Sequence, residues 1–227
     1  MPCGVTLPCD HTMVSVTEPF RQIRAEYDEQ LITVYQAYSP AIAIPAAADN
    51  RFSAGFKRDR MTWIKPSFRW MMYRCGWATK PGQERVLAIR IERSGFEWAL
   101  AHSAFAHFDA GLHADRETWR SSLAAPVRVQ WDPERDLHFR ALGYRSVQIG
   151  LGGEAVARYC DEWVREIRDV TDLAHRVHGE VAGRGLGQGQ DAAAELLPVE
   201  RPYPVPTGIA ARIGVTVDAE GEAVGAG

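Results

Sequence analysis

The residues between Arg51 and Arg85 combine positive charge with aromatic rings. This segment carries nine basic and two acidic side chains, a net charge of +7, whereas the whole chain has a formal net charge of −3. Its aromatic residues are Phe52, Phe56, Trp63, Phe68, Trp70, Tyr73 and Trp77. Guanidinium and ammonium groups bind phosphates, and aromatic faces stack on bases. The segment therefore predicts a nucleotide or nucleic-acid ligand, unless it is a surface helix whose basic side chains cover a buried aromatic face.

A strand-to-helix junction inside this segment could hold an anion. Residues 61–64 are predicted to form a strand, and Ser67 is a candidate N-cap for the helix that follows. Arg60, Thr62, Lys65 and Arg69 surround this junction. Amides at a helix N-terminus favour an anion, to which Lys65 would add a full positive charge. The alternative is that Lys65 is a solvated loop residue.

The remaining motifs carry weaker chemical signals. Gly150, Gly152 and Gly153 lie between a predicted strand and a predicted helix, where they could approach a phosphate or simply permit a tight turn. The spacing matches neither a P-loop nor a dinucleotide fingerprint, and no serine lies in a nucleophile elbow. No cluster of histidines and cysteines matches a common metal-binding spacing, so we predict no metal site.

The strands and helices that must position these residues alternate along the chain. Period-two alternation and β-branched content predict strands at 31–38, 61–64, 85–93, 127–131 and 144–151. Apolar spacing and capping residues predict helices at 41–50, 67–76, 116–124 and 154–170, with a helix or loop at 95–107. Mixed strands with interspersed helices indicate an α+β fold, in a single domain over residues 20–178.

The two ends of the chain differ from this domain in composition. Residues 1–19 are predicted to be a flexible leader, and residues 179–227, rich in Gly, Pro and Ala, a largely disordered tail. Within that tail, residues 209–217 could form a peripheral strand. The chain has no apolar run of the roughly 18 residues that a membrane helix requires and no secretory signal, so we expect a cytoplasmic protein. The oligomeric state does not follow from these features.

Four blocks of sequence occur in an order that is similar to a known family. They are IRAEYDEQLITVYQAYSPAIA, RMTWIKPSFRWMMYRCGWATKPGQERVLAI, WDPERDLHFR and RSVQIGLGGEAVARYCDEWV. Together they resemble the domain of unknown function 4291 family over about residues 20–178. This resemblance implies a shared fold but no activity.

A second resemblance concerns the order of the strands. The strand VYQAY, the basic segment, the strand VLAIRI and the late strand SVQIGL are similar to the split-sheet layout of ADP-ribosyltransferases. This resemblance implies NAD as the cofactor and a tyrosine-containing pair on the early strand that contacts it, for which Tyr35 and Gln36 are in the comparable place. Active members carry a catalytic glutamate on the late strand, where this chain has Gln148.

The leading hypothesis is an NAD-dependent ADP-ribosyltransferase-like enzyme that acts on a nucleic acid or nucleotide. Its predicted catalytic residues are Gln36, Lys65 and Gln148. Its predicted cofactor-binding residues are Arg24, Tyr35, Arg60, Thr62, Trp63, Arg74 and Trp77. The alternatives are a non-catalytic nucleic-acid-binding module and another nucleotide or phosphate-ester enzyme that uses Lys65. An enzyme site requires the basic residues to converge in one concave pocket, whereas a nucleic-acid-binding module would spread them along an open face.

Overall fold

The computed structural model describes residues 18–183 and 188–216, so most of the predicted leader and the last residues of the predicted tail lie outside the described residues. The strands are β1 Arg24–Ala25, β2 Leu31–Tyr38, β3 Thr62–Ile64, β4 Arg85–Glu92, β5 Ser103–Phe105, β6 Val127–Arg135, β7 Ala141–Leu151, β8 Val164–Asp169 and β9 Arg201–Pro202. The helices are α1 Pro40–Asp49, α2 Phe68–Cys75, α3 Arg93–Ala101, α4 Arg116–Ser122, α5 Glu154–Arg158, α6 Thr171–Gly183, α7 Gln188–Leu196 and α8 Thr207–Ile213. The predicted α+β class is confirmed. Among these helices none is both long and apolar enough to span a membrane.

Two larger sheets meet at one backbone bridge. One sheet has the strand order β2-β4-β8, and the other has the order β3-β7-β6-β5. Tyr35 in β2 and Lys65 after β3 connect them, because Tyr35 N donates to Lys65 O at 2.7 Å and Lys65 N donates to Tyr35 O at 3.3 Å. This bridge places Lys65 and the start of α2 at the junction of the two sheets.

The two faces of β2 pack against different parts of the core. Ile32 and Val34 belong to the main hydrophobic core, which also contains residues of β3, β6 and β7. Tyr35 belongs to a second core, beneath α2 and α6. Because side chains alternate along a strand, Gln36 points to the same side as Ile32 and Val34, away from the side of Tyr35.

Helix α2 begins and ends at the residues that the sequence predicts. The Ser67 Oγ atom accepts a hydrogen bond from Trp70 N at 3.2 Å, and Gly76 ends the helix in the left-handed conformation with φ of 61°. The first-turn amides, however, are not left for an external anion. Phe68 N donates to a carboxyl oxygen of Glu200 at 2.5 Å, so a side chain of the protein itself occupies this helix N-terminus.

The predicted helix over residues 154–170 is wrong in its second half. Helix α5 is followed by a π-helical stretch, Tyr159–Trp163, and then by the strand β8. The free edge of β4 pairs with β8 through residues such as Ile89 and Ile167, and a salt bridge joins Arg90 to Glu166. Helical spacing of apolar residues is a local signal, whereas an available sheet edge is a tertiary one.

The chain between 188 and 216 packs on the domain, although its composition predicts little order. Tyr203 and Ile213 are buried in the main core, and β9 pairs with β1. Residues 207–213 form a helix rather than the expected strand, since Pro206 precedes its first turn and Gly214 ends it with φ of 66°. The Trp131 Nε1 atom donates to Ile213 O at 2.8 Å and holds this helix against β6.

Candidate functional site

A cleft of about 490 Å³ opens where the two larger sheets meet α2, and we call it the polar cleft. Its volume lies within the range of roughly 300–1,000 Å³ that is typical of small-molecule sites. Seven of the ten predicted site residues line it: Gln36, Arg60, Thr62, Trp63, Lys65, Arg74 and Gln148. Arg60, Lys65 and Arg74 therefore converge on one concavity, whereas Arg69 lines a different pocket and donates to the Tyr144 hydroxyl at 2.9 Å.

Lys65 lies in the wall of the polar cleft with only 5% of its surface exposed. The register that pairs Trp63 with Gly150 and Ile64 with Ile149 continues to place Lys65 beside Gln148, and Gln148 pairs with Gln130 on β6. Directly opposed residues of antiparallel strands point to the same face. Lys65, Gln148 and Gln130 thus form one row of polar side chains across the sheet.

The ammonium group of Lys65 has little compensation for its burial. Its Nζ atom donates to Trp63 O at 3.1 Å, and no carboxylate among the described residues forms a salt bridge with it. Burial lowers the pKa of Lys65 to about 7, and the nearby charge of Arg74 acts in the same direction, while Asp132 partly offsets both. A substantial fraction of Lys65 is therefore an uncharged amine at neutral pH.

Gln36 is held by hydrogen bonds on both sides of its amide. Its Nε2 atom donates to Thr62 Oγ1 at 2.7 Å, and its Oε1 atom accepts from the Tyr159 hydroxyl at 2.8 Å. Burial raises the pKa of Tyr159 well above its ordinary value, so this hydroxyl stays protonated and remains a donor. Tyr38 also shares a hydrogen bond with Thr62 at 3.1 Å. The network fixes the position of the Gln36 side chain at the base of the cleft.

The carboxylate nearest to Gln148 is one that the sequence did not suggest. The Nε2 atom of Gln148 donates to one oxygen of Asp132 at 2.7 Å, and the Nε2 atom of Gln130 donates to the other at 2.9 Å. Glu154, the acidic residue closest to Gln148 along the chain, lies at the start of α5. Asp132 and Gln130 come near Gln148 only through the pairing of β6 with β7, so no local motif could have identified them.

Two arginines of the polar cleft are exposed and form no salt bridge within residues 18–183 and 188–216. Arg60 lies in the loop before β3, and Arg74 lies in the last turn of α2. Within the described residues no carboxylate forms a salt bridge with either guanidinium. Both groups are available for an anionic ligand.

Trp63 lies over a glycine of the neighbouring strand. A Cβ atom added at Gly150 would approach Trp63 Cζ2 to 2.9 Å and Met61 Sδ to 2.6 Å, distances that real Cβ atoms do not reach. Gly150 therefore permits close approach of the indole to β7, rather than contact with a phosphate. The half-buried ring contributes an aromatic surface to the polar cleft.

The other three predicted site residues lie outside the polar cleft. Tyr35 points into the second core, where its ring meets Phe68 edge-on at 5.5 Å. Trp77 is 4% exposed and stacks on Phe139 and His178, so neither face of its ring is open to a base. Arg24 forms a salt bridge with Glu18. Strand alternation separates Tyr35 from Gln36, burial encloses Trp77, and a salt bridge engages Arg24 outside the cleft.

No group of three or more potential metal ligands comes together in residues 18–183 and 188–216.

Comparison with known proteins identifies the sequence at the level of a family. The family model described as Domain of unknown function (DUF4291) matches residues 22–203. The match therefore includes the polar cleft, and it extends beyond residue 178 to the segment that contains Glu200 and Tyr203. No curated protein matches the sequence.

Proposed function

The chain belongs to the DUF4291 family, whose name assigns no activity, and from the polar cleft we propose that it is an enzyme that binds a nucleotide, with NAD as the first candidate. One observation carries this proposal. Arg60, Arg74 and Lys65 converge on a single cleft that is also lined by the amides of Gln36 and Gln148. A concave site with converging cations favours a compact ligand that carries phosphates.

The two exposed arginines are the phosphate-binding groups of this proposal. A guanidinium offers a planar fork of donors that matches two oxygens of a phosphate. Arg60 and Arg74 lie on different elements, so a diphosphate could bridge them. Because neither has an acidic partner in the described structure, binding a phosphate would not require an existing salt bridge to break.

The glutamines and Trp63 would bind the rest of the nucleotide. The indole of Trp63 provides a surface on which a flat ring can stack. Glutamine amides have both a donor and an acceptor, which is the pattern that the carboxamide of nicotinamide requires. Gln148 donates to Asp132 through its nitrogen, which leaves its carbonyl oxygen as the group that a ligand can use.

The carboxylate of Asp132 supports a transfer reaction at the ribose. Cleavage of the bond between ribose and nicotinamide develops positive charge on the sugar, and a fixed negative charge stabilises that charge. In this proposal Asp132, held by Gln130 and Gln148, takes the role that a glutamate has in ADP-ribosyltransferases. Gln148 is then a positioning residue, and we expect Gln148→Ala to abolish NAD turnover while the protein stays folded.

A second enzymatic candidate rests on Lys65. A lysine with a pKa of about 7 can act as a base or nucleophile as well as a cation. This favours the nucleotide or phosphate-ester enzyme as the alternative within the same cleft. The non-catalytic nucleic-acid-binding module receives less support, because Trp77 is buried and the cations converge.

Calorimetric titration of the purified protein with NAD, and separately with a single-stranded oligonucleotide, tests the proposal at low and high salt. We expect saturable NAD binding that changes little with salt. Arg74→Ala should weaken it by roughly 10- to 100-fold, the value of one charge-assisted contact. Arg176→Ala on α6 is the matched control, because it removes an exposed arginine that does not line the polar cleft. Oligonucleotide binding alone, lost steeply as salt rises, would contradict the proposal and indicate a binding module.

A further inference from the structure

Lysine is scarce in this chain, and the three lysines differ in their surroundings. The chain contains Lys57, Lys65 and Lys80, whereas lysine and arginine together number 26. Lys57 and Lys80 are exposed, and Lys80 donates to carbonyl oxygens at the end of α2. Lys65 alone of the three is buried, in the wall of the polar cleft. Burial of a lysine without an acidic partner costs free energy of folding, which suggests a functional role for its amine.

Burial and the charge of Arg74 favour the uncharged form of Lys65, and Asp132 and Cys75 oppose them in part. Arg74 and Cys75 approach it from α2, Asp132 from β6, and Arg60 lines the same cleft from the loop before β3. Burial is the main reason why its pKa falls to about 7, and Arg74 contributes in the same direction. A lysine in water has a pKa of about 10.4, so its free amine is a very small fraction at neutral pH. Lys65 presents a nucleophilic nitrogen under conditions in which an ordinary lysine does not.

We propose that Lys65 is a nucleophile that forms an imine with a phosphorylated aldehyde whose phosphate is bound by Arg60 and Arg74. This inference deepens the proposed function and rests on it only for the phosphate-binding role of the two arginines. The ribose that is released when water cleaves its bond to nicotinamide would be such a compound, since its ring-opened form has an aldehyde at C1 and a phosphate at its other end.

The chemistry needs no further reactant. The lone pair of the neutral Lys65 nitrogen attacks the carbonyl carbon, a C–N bond forms, and the proton lost from nitrogen passes to the carbonyl oxygen. The resulting carbinolamine then loses its hydroxyl group and the second nitrogen proton together as water. The product is the imine, and no electron is gained or lost overall. The amide oxygens of Gln130 and Gln148, in the same row as Lys65, can accept a hydrogen bond from the hydroxyl group of the carbinolamine.

Trapping with pyridoxal 5′-phosphate and borohydride tests this inference on the full-length protein. The reagent contains an aldehyde and a phosphate, and reduction makes the imine permanent for peptide mapping by mass spectrometry. At pH 7 we expect Lys65 to be labelled at least about tenfold faster than Lys57 or Lys80, because of its larger free-amine fraction. Its labelling should level off above pH of about 7, the pKa given by its surroundings.

Matched variants and a matched reagent isolate each part of the inference. Lys65→Arg should lose the label at that peptide while the labelling of Lys57 and Lys80 is unchanged, and circular dichroism verifies its fold. Pyridoxal, which lacks the phosphate, should label Lys65 at least about tenfold more slowly, and Arg74→Ala should reduce that difference by about tenfold, since one charge-assisted contact is worth about this factor. Arg176→Ala is again the control and should preserve the difference between the two reagents.

The results that overturn the inference are distinct from those that overturn the proposed function. Labelling of Lys65 no faster than that of Lys57 and Lys80, or equal labelling by the two reagents, rules the inference out. NAD binding together with an unreactive Lys65 would overturn the inference and leave the proposed function standing. Selective, phosphate-dependent labelling of Lys65 without any NAD binding would support the inference and overturn NAD as the cofactor.

Discussion

Buried ionisable side chains give this molecule its most distinctive residue-scale properties. Lys65 is buried and Glu200 is half-buried, and removal from water disfavours the charged form of each. The pKa of Lys65 is lowered and that of Glu200 is raised, because lysine loses its charge by deprotonation and glutamate by protonation. Burial raises the pKa of Glu200 to about 8, with Phe68 N, which donates to this carboxylate, acting in the opposite direction. At neutral pH much of Glu200 is therefore protonated.

Glu200→Gln should change how stability depends on pH. The folded-state pKa of Glu200 is raised to about 8. Its contribution to the free energy of unfolding is therefore fully present below pH 4.5 and is lost as pH rises through 8. Glutamine retains an oxygen that can accept from Phe68 N but does not ionise. The stability of the variant relative to the wild type should therefore increase by up to about 1.4 kcal/mol per pH unit across this window.

Urea denaturation at pH 5, 7 and 9 measures this difference. Val199→Ala, a change at the adjacent and largely exposed residue, is the control and should follow the pH dependence of the wild type. Parallel curves for Glu200→Gln and the wild type would show that Glu200 has the same pKa in the folded and unfolded states.

Among the elements, β3 and β7 together build the floor of the polar cleft. The pairing of Trp63 with Gly150 places the indole directly over a residue without a side chain. The same register continues to the row of Lys65, Gln148 and Gln130. A change at Gly150 therefore affects both the packing of these strands and the position of the polar row.

Gly150→Ala should destabilise the protein by about 1–3 kcal/mol, the usual cost of overpacking a close contact. The added methyl group would meet Met61 Sδ and Trp63 Cζ2 within 3.0 Å, so both side chains must move. Gly143→Ala in the same strand is the matched control, because a Cβ atom there has no neighbour within 4 Å. Chemical denaturation measures the free energy of unfolding of the two variants. Equal values would contradict the packing described for Trp63.

At the scale of the whole molecule, the C-terminal segment completes the core. The ring of Tyr203 meets Tyr27 at 5.1 Å and Phe96 at 5.4 Å, and its hydroxyl donates to Glu97 at 2.6 Å. Ile213 is buried in the same core, and its carbonyl oxygen accepts the hydrogen bond from Trp131 of β6. Residues near both described ends of the chain are thus packed together, and β1 with β9 is a direct pairing between them.

A truncated protein that ends at residue 196 should be much less stable than one that ends at residue 216. Loss of a buried aromatic side chain alone costs about 3–5 kcal/mol, and 1 kcal/mol corresponds to roughly 2–4 °C in Tm at this chain length. We therefore expect Tm to fall by at least about 10 °C on removal of Glu200, Tyr203 and Ile213. Thermal unfolding of both truncated forms provides the measurement. Equal Tm values would mean that this segment is not part of the cooperative unit.

Local pattern was sufficient for most strands and for the centre of the candidate site. Alternation and β-branched content predicted β2, β4 and β7, and Ser67 and Gly76 predicted both ends of α2. Arg60, Trp63, Lys65 and Arg74 lie within fifteen residues of one another, so their proximity followed from chain connectivity. Periodicity failed at residues 164–169 because a neighbouring strand edge outweighed the helical pattern.

Only the tertiary structure decided which side chains share the polar cleft and in which protonation state. Asp132 and Gln130 meet Gln148 through strand pairing across a hairpin, and Tyr35 and Trp77 are turned into a core that no local signal describes. The depressed pKa of Lys65 has the same origin, since burial depends on what the rest of the chain places over a residue. Local sequence specifies the conformation of a segment, whereas burial and pairing depend on contacts between residues far apart in the chain.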